Sequence, residues 1–540
     1  MLRASLFSEV PLMKSRVVLT LVALVVSSSV GCSGPSPSDL FVNSPSVSGL
    51  LSPMSAQRSL SPNDGAPGSA NTESYQTIHE NPFLAPLKNP LSTFSIDVDT
   101  ASYSNVRRFL NQGKLPPKDA VRIEEMLNYF RYDYAQPEAG KPFALKTELS
   151  EAPWKKGHQL LQIGLQAPAV EMGNTPRSNL VFLLDTSGSM ASPDKLPLLK
   201  QSLRLMVDQL SEKDSVSMVV YAGSAGQVLP PTPGHRKDVI LKALDNLEAG
   251  GGTAGGAGIR LAYSLARQQF IQGGNNRVIL ATDGDFNVGA SSDAEMEYLI
   301  EQERKEGVFL TVLGFGTGNY KDSKMETLAN KGNGNYAYID SLSEARKVVV
   351  QELGATLLTV AKDVKLQVEF NPAKVAKYRL IGYENRLLRA EDFDNDAKDA
   401  GELGAGHTVT ALYEIEPVTA ATAQEQSLTY TETEIKDTAF ASDDLLTLKL
   451  RYKQPHQDTS ELLTHTVEAQ AKPWSEASVN LQFAASVAGF GMLLRQSEHK
   501  GDLTLSQVKA LGQAGKGPDK EGYRQAYLEL LTQAEGLGLK

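Results

Sequence analysis

Cysteine is nearly absent from this chain: its 540 residues include one, Cys32. A single thiol excludes an internal disulfide framework, a thiolate zinc cluster and a redox dithiol. The seven histidines (His79, His158, His235, His407, His456, His465 and His499) are scattered with no HExxH spacing, so zinc-hydrolase chemistry has no visible home. Basic charge is in deficit, with 53 Lys and Arg against 63 Asp and Glu and a net charge of -10. Such a chain lacks the basic footprint that phosphate backbones demand, and no nucleic acid is expected as its partner. The one long apolar run, Val17 to Val26, has ten residues. As a helix it would span about 15 Å, roughly half of a bilayer core, which is too short for a stable transmembrane span. What is present, 41% hydrophobic and 21% charged residues, is enough to bury real cores and excludes wholesale disorder. The length corresponds to about three to four domains.

Arg3, Lys14 and Arg16 precede the apolar run, and Ser27 to Gly31 follow it. A basic start, a short apolar centre and small residues make residues 1–31 a secretory signal, starting at Met1 or at Met13. Cys32, directly after Gly31, resembles the cysteine of a bacterial lipobox. The resemblance implies acylation of Cys32, a membrane anchor at the new N-terminus and a place in the cell envelope; Ser33 in place of Asp implies outer-membrane delivery. The plainer alternative is a stray thiol beside a removed signal. Residues 32–85 read as a flexible tether: between 33 and 70, 21 of 38 positions are Ser, Pro or Gly. Such a segment reaches on the order of 35 Å, enough to hold a folded body clear of lipid.

Patterning becomes globular from residue 86. In 86–177 an alternating strand runs from Phe94 to Asp99. A helical stretch over 102–131 is interrupted at Pro116-Pro117, and strand patterns follow at Phe143 to Glu148 and Gln159 to Leu165, which predicts an N-terminal α+β domain. In 178–355 the apolar runs Leu180–Leu184, Val216–Tyr221, Val278–Ala281 and Val308–Leu313 alternate with amphipathic stretches at 194–210, 236–248, 254–272 and 293–306. Strands buried on both faces and alternating with helices specify a doubly wound, Rossmann-like α/β fold with a mostly parallel sheet. Residues 356–472 alternate like antiparallel strands and predict a β-sandwich, with the strands before residue 170 as candidate partners; 473–540 is helical.

Three motifs fall at strand-to-helix turns of the parallel sheet: Asp185-Thr186-Ser187-Gly188-Ser189-Met190, Gly251-Gly252-Thr253 and Thr282-Asp283-Gly284. They should meet at its carboxyl edge, where ligands of such sheets bind. Asp185, Ser187, Ser189, Thr253 and Asp283 offer hard oxygen donors, which suit an octahedral ion such as Mg²⁺ or, equally, Mn²⁺. The set resembles the metal-ion-dependent adhesion site of von Willebrand factor A (VWA) domains, over about residues 178 to 352. That resemblance implies direct ligation by Ser187, Ser189 and Thr253, ligation mainly through water by Asp185 and Asp283, and a protein partner's Asp or Glu in the remaining position. Taken singly, the motifs have plainer readings, as a helix entry capped by Ser189 or Ser192 and a turn at Asp283-Gly284.

Flanking segments extend the likeness. Asn81 to Leu84, the run STFSIDVDTASYSNVRRFL and the helix from Ile123 to Phe130 resemble the N-terminal domain of YfbK-type bacterial lipoproteins. Glu391 to Ile415 and Phe483 to Ser497 resemble that family's C-terminal domain. The family implies a cell-envelope binding protein rather than an enzyme. Two alternatives stay open: a Mg²⁺-assisted hydrolase or phosphotransferase, and a scaffold whose metal is purely structural. Asp97-Val98-Asp99, similar to the paired acids of haloacid-dehalogenase phosphotransferases, reads better as a strand end with solvated acids. The acidic run Glu391 to Glu402 reads as a solvated hairpin loop, and Gly250, Gly252 and Gly255 match GxGxxG without the strand a dinucleotide site needs.

Overall fold

Leu180, Phe182 and Leu184 enter one hydrophobic core, while Val181 and Leu183, the alternate residues of the same strand, enter another. A strand that feeds two cores is the middle layer of three, and this one organises the metal-motif region. The computed structural model describes residues 72–169, 175–286, 292–419 and 434–540, all within the compact unit Pro67–Lys540. The signal, Cys32 and the tether up to residue 71 lie outside the described residues.

The strands are, in chain order, β1 (Leu91–Ser95), β2 (Ala144–Glu151), β3 (Gln159–Gln166), β4 (Ser178–Asp185) and β5 (Ser215–Tyr221). Then come β6 (Ala225–Pro233), β7 (Asn275–Thr282), β8 (Val308–Phe315), β9 (Tyr336–Ile339) and β10 (Thr359–Phe370). The last are β11 (Val375–Ile381), β12 (Gly401–Gly404), β13 (Thr408–Pro417), β14 (Asp444–Lys453) and β15 (Ser460–Glu468). The helices begin with α1 (Ala101–Asn111), α2 (Ile123–Asn128), α3 (Leu196–Gln209), α4 (Lys237–Asp245) and α5 (Gly255–Gln268). They continue as α6 (Asp293–Lys305), α7 (Asp322–Lys331), α8 (Leu342–Arg346) and α9 (Leu353–Leu357). The chain ends on α10 (Asp437–Ala441), α11 (Val479–Arg495), α12 (Leu505–Ala514) and α13 (Tyr523–Gly536).

The central sheet has the order β6-β5-β4-β7-β8-β9. Its neighbours are parallel except β5 and β6. Helices α3 and α4 pack on one face, α5 to α7 on the other, as a doubly wound fold requires. From β4 the chain winds outward to β5 and β6, then crosses back to β7, so the topological switch lies between β4 and β7. The edge strand β6, the short β9 and α7 were not legible in the pattern, because none carries a long apolar run.

This module is inserted between β3 and β10, which both belong to a β-sandwich. One layer is β1-β10-β14-β15 with β12 on β10, the other β11-β13-β3-β2. Phe94, Ile163, Leu366, Tyr413 and Leu448 share its core, so strands from 86–177 and from 356–472 alternate in both layers. The C-terminal helices pack on α1 and α2 through Tyr103, Met126, Phe130, Phe483 and Tyr527. The N- and C-terminal segments together form one frame around the inserted module.

Buried ions bind module to frame. Arg122, before α2, pairs with Asp322 of α7 at 2.5 Å and with Glu125, and lies 3.6 Å from Glu326. Within the frame, Arg386 pairs with Asp97 and Asp99, each at 3.0 Å, and Asp99 Oδ1 in turn accepts the backbone N–H of Tyr336 in the module at 2.7 Å. The reading of Asp97 and Asp99 as solvated acids is thereby corrected: both are 2% exposed, because β1 ends at Ser95 and the next residues turn inward between sandwich and module. Asp392 of the acidic run is also buried, against the expectation of a solvated loop.

Removing one partner of a buried pair leaves the other charge stranded. Arg122→Met should lower unfolding free energy by about 3–5 kcal/mol in urea denaturation, whereas the exposed pair partner change Arg204→Met should cost under about 1 kcal/mol.

Candidate metal centre

β4 terminates at Asp185, whose Oδ1 accepts the backbone N–H of Ser187 at 2.9 Å. This carboxylate-to-amide bond two residues on turns the chain sharply out of the strand. Oδ2 of Asp185 accepts from the hydroxyls of Tyr221 and Thr282, each at 3.1 Å, so the ends of β5 and β7 fix it from both sides. Ser187 Oγ then lies 3.1 Å from Ser189 Oγ, and Ser189 Oγ donates to Asp283 Oδ2 at 2.7 Å. Four of the five expected residues thus form one continuous polar chain across the β4/β7 switch point.

The fifth, Thr253, is half-buried on the loop before α5. That loop is tied to the first motif by Gly188 N–H donating to Gly251 O at 3.1 Å and Gly250 N–H donating to Thr186 O at 2.8 Å. Gly251 has φ of +80°, a conformation glycine adopts without strain. The three motifs therefore share one corner of the carboxyl edge. Gly250, Gly252 and Gly255 follow α4 rather than a strand, unlike a dinucleotide-binding turn.

Two further side chains join the cluster. Lys195 Nζ lies 2.9 Å from Asp283 Oδ2 and 2.8 Å from Asn319 Oδ1, and Asn319 Nδ2 donates to the same Asp283 oxygen at 2.9 Å. No spacing in the sequence marks Lys195. Asn319 could have been sought from the rule that ligands sit beyond strand carboxyl ends, since it follows β8. Its loop is held by residues at the start of the described chain: Thr72 N–H donates to Gly318 O at 2.7 Å, and Glu73 Oε1 accepts from Gly318 N–H at 2.8 Å. Glu73 is itself clamped by Arg108 at 2.9 Å.

The two aspartates have opposite electrostatics. Burial, reinforced by Asp283, pushes Asp185 up to about 6 despite its hydrogen bonds. Burial would also raise Asp283, but hydrogen bonds from Ser189 and Asn319 and the Lys195 charge hold it below the usual carboxylate range. Among the described residues no group of three His, Cys, Asp or Glu side chains could hold a metal. The donors here are hydroxyls with two carboxylates, a hard-oxygen set that fits Mg²⁺ or Mn²⁺ and does not fit zinc.

Comparison with known proteins fits this architecture. Residues 179–352 match the von Willebrand factor type A domain, 69–162 a region described as von Willebrand factor, and 355–537 the C-terminal region of YfbK. Over 479 residues the chain is 45% identical to the protein YfbK of Escherichia coli (strain K12), covering 87% of this chain and 82% of that one. The chain belongs to the YfbK family. This YfbK-type protein carries a VWA domain and the family's C-terminal domain. VWA domains generally mediate protein–protein interactions. A more distant relative is the magnesium-chelatase 67 kDa subunit of Chlorobaculum tepidum, 24% identical over 284 residues, 47% of this chain and 46% of that one. Among solved structures, a von Willebrand factor type A protein from Catenulispora acidiphila aligns with 74% of this chain and 91% of its own, at 16% identity and a TM-score of 0.41.

The raised Asp185 gives a pH signature to the metal-free protein. A carboxyl that holds its proton more tightly when folded adds stability below its unfolded value, and loses it as pH rises through about 6. With chelator present, Asp185→Asn should melt at or above the wild-type temperature near pH 7, and the difference should vanish near pH 4, by thermal denaturation across pH.

Proposed function

We propose that this YfbK-type protein is a membrane-anchored cell-envelope binding protein whose VWA domain binds Mg²⁺ or Mn²⁺ and through it grips an acidic residue of a protein partner, in adhesion or envelope assembly. The observation that carries the reading is the polar chain Asp185–Ser187–Ser189–Asp283 at the switch point, with the Thr253 loop bonded beside it. In this assignment Ser187, Ser189 and Thr253 would hold the ion, while Asp185 and Asp283 orient its water. The ion would supply an electrophilic seat for a carboxylate. Neutral hydroxyl donors leave its charge poorly compensated, so an incoming Asp or Glu gains a strong electrostatic bond in a shaped site.

The chain's own contribution is preorganisation. Tyr221 and Thr282 hold the Asp185 carboxylate so that the Ser187 turn stays formed. A binding role also agrees with the state of the other paired acids: Asp97 and Asp99 are buried and both are bound to Arg386. Anchoring is assigned to acylated Cys32, with the segment behind it as the tether and the outer membrane as its place. Among the described residues no helix is long and apolar enough to cross a membrane.

Affinity capture from envelope extracts tests the binding role. Mg²⁺ should permit capture of a partner that excess chelator releases, and Ser187→Ala or Asp283→Ala should reduce capture at least about tenfold, the loss of one strong site contact. Capture unchanged by chelator defeats the reading. Cys32→Ser should move the protein from the membrane to the soluble fraction.

A further inference from the structure

Lys195 is 5% exposed, and its stem runs through a groove over Gly316. Gly316 has φ of +78°, and a Cβ there would overlap the Lys195 methylenes, so any other residue would close the path. The buried ammonium has two partners: Asp283 Oδ2 at 2.9 Å and Asn319 Oδ1 at 2.8 Å. The Asp283 oxygen it occupies is the one to which Ser189 donates at 2.7 Å. A glycine-lined path, a buried lysine stem and a shared carboxylate oxygen together make a built seat for a positive charge, placed against two of the residues assigned to the divalent ion.

We propose that Lys195 is the resident cation of the metal-free site. Its charge neutralises Asp283 and keeps Ser189 and Asn319 gathered on that carboxylate when no ion is bound. The same charge repels an incoming divalent cation, so Lys195 sets the ion concentration at which the site loads. This rests on the metal-binding reading above. An uncompensated carboxylate in a buried site is costly, which accounts for a counter-charge that need not be displaced to keep the loops folded. Asn319 is the relay. It bonds both Lys195 and Asp283, and its loop is pinned by Thr72 and Glu73, so the ammonium cannot readily swing away from the carboxylate. Lys195 is a positioning residue with a second effect on affinity, and the two effects separate by sign. A purely structural lysine would weaken ion binding when removed; a resident cation would strengthen it.

Mn²⁺ binding to the full chain, followed by loss of the free-ion electron paramagnetic resonance signal, distinguishes them. Lys195→Met, which keeps the apolar stem, should bind Mn²⁺ about tenfold more tightly than wild type, the scale of removing one like charge a few ångströms away in a partly screened site. Lys195→Arg, which keeps the charge, should stay within about twofold. In chelator the Met variant should melt below wild type, since Asp283 then lacks its counter-charge. Lys195→Gln, which retains a hydrogen-bond donor, repeats the titration if the Met variant does not fold. Equal or weaker Mn²⁺ binding by the neutral variants overturns the proposal while leaving the metal reading intact, provided wild type binds and Ser187→Ala does not. No Mn²⁺ binding by either wild type or the neutral variants overturns both.

Discussion

A carboxylate at the buried end of a central strand has to be compensated, and the compensation of Asp185 and Asp283 organises this corner of the molecule. Asp185 ends β4 and Asp283 directly follows β7, adjacent parallel strands between which the topology leaves a crevice. Each meets the constraint differently. Asp185 uses neutral donors, an amide and two hydroxyls, and remains a group that burial drives toward its protonated form. Asp283 uses a full positive charge together with a serine and an asparagine, and stays ionised. The asymmetry sets the electrostatics of the site: one aspartate is held by neutral donors alone, while the other has a cation beside it.

The sequence made the module and its motif corner legible for a clear reason. β4 and β7 are buried along their whole lengths, so they read as continuous apolar runs, and the winding rule places their ends together. The expected helices over 194–210, 236–248, 254–272 and 293–306 correspond to α3, α4, α5 and α6 within a few residues. Lys195 and Asn319 were not legible because their roles depend on tertiary approach. Lys195 sits beside α3 and Asn319 after β8, and only folding brings both to Asp283.

Asp97 and Asp99 illustrate the opposite failure. Two acids at the end of an alternating strand look solvated, since burial of charge is rare without a partner. Their partner, Arg386, is almost three hundred residues away in the chain, between β11 and β12, where no local pattern could have revealed it. Interleaving of the frame follows the same logic. β1 and β3 pair with β10 and β13, which come after the inserted module; the sequence marked the early strands as candidate partners of the later β region, but nothing local fixed which strands pair.

Interleaving also limits how the module can move. Both of its chain connections, from β3 and into β10, leave from the sandwich. The surfaces in contact carry Arg122 and Arg107 of the frame, each bonded across to acids of the module. Swinging the module away from the frame would separate Arg122 from Asp322 and Arg107 from Asp340, exposing charges whose partners remain buried. Rearrangement of the loops is far less costly. The Gly251 loop rests on two backbone hydrogen bonds, and the Asn319 loop is held by the short segment at Thr72 to Ser74. That segment falls inside residues 32–85, read from the sequence as a tether; the reading is corrected for 72–85, where Ser74 bridges Lys321 and Leu84 bridges Tyr378 because these backbone groups find strand partners on the folded body. The physically accessible rearrangement is therefore a local one, within three loops at the carboxyl edge, with the frame serving as a fixed mount.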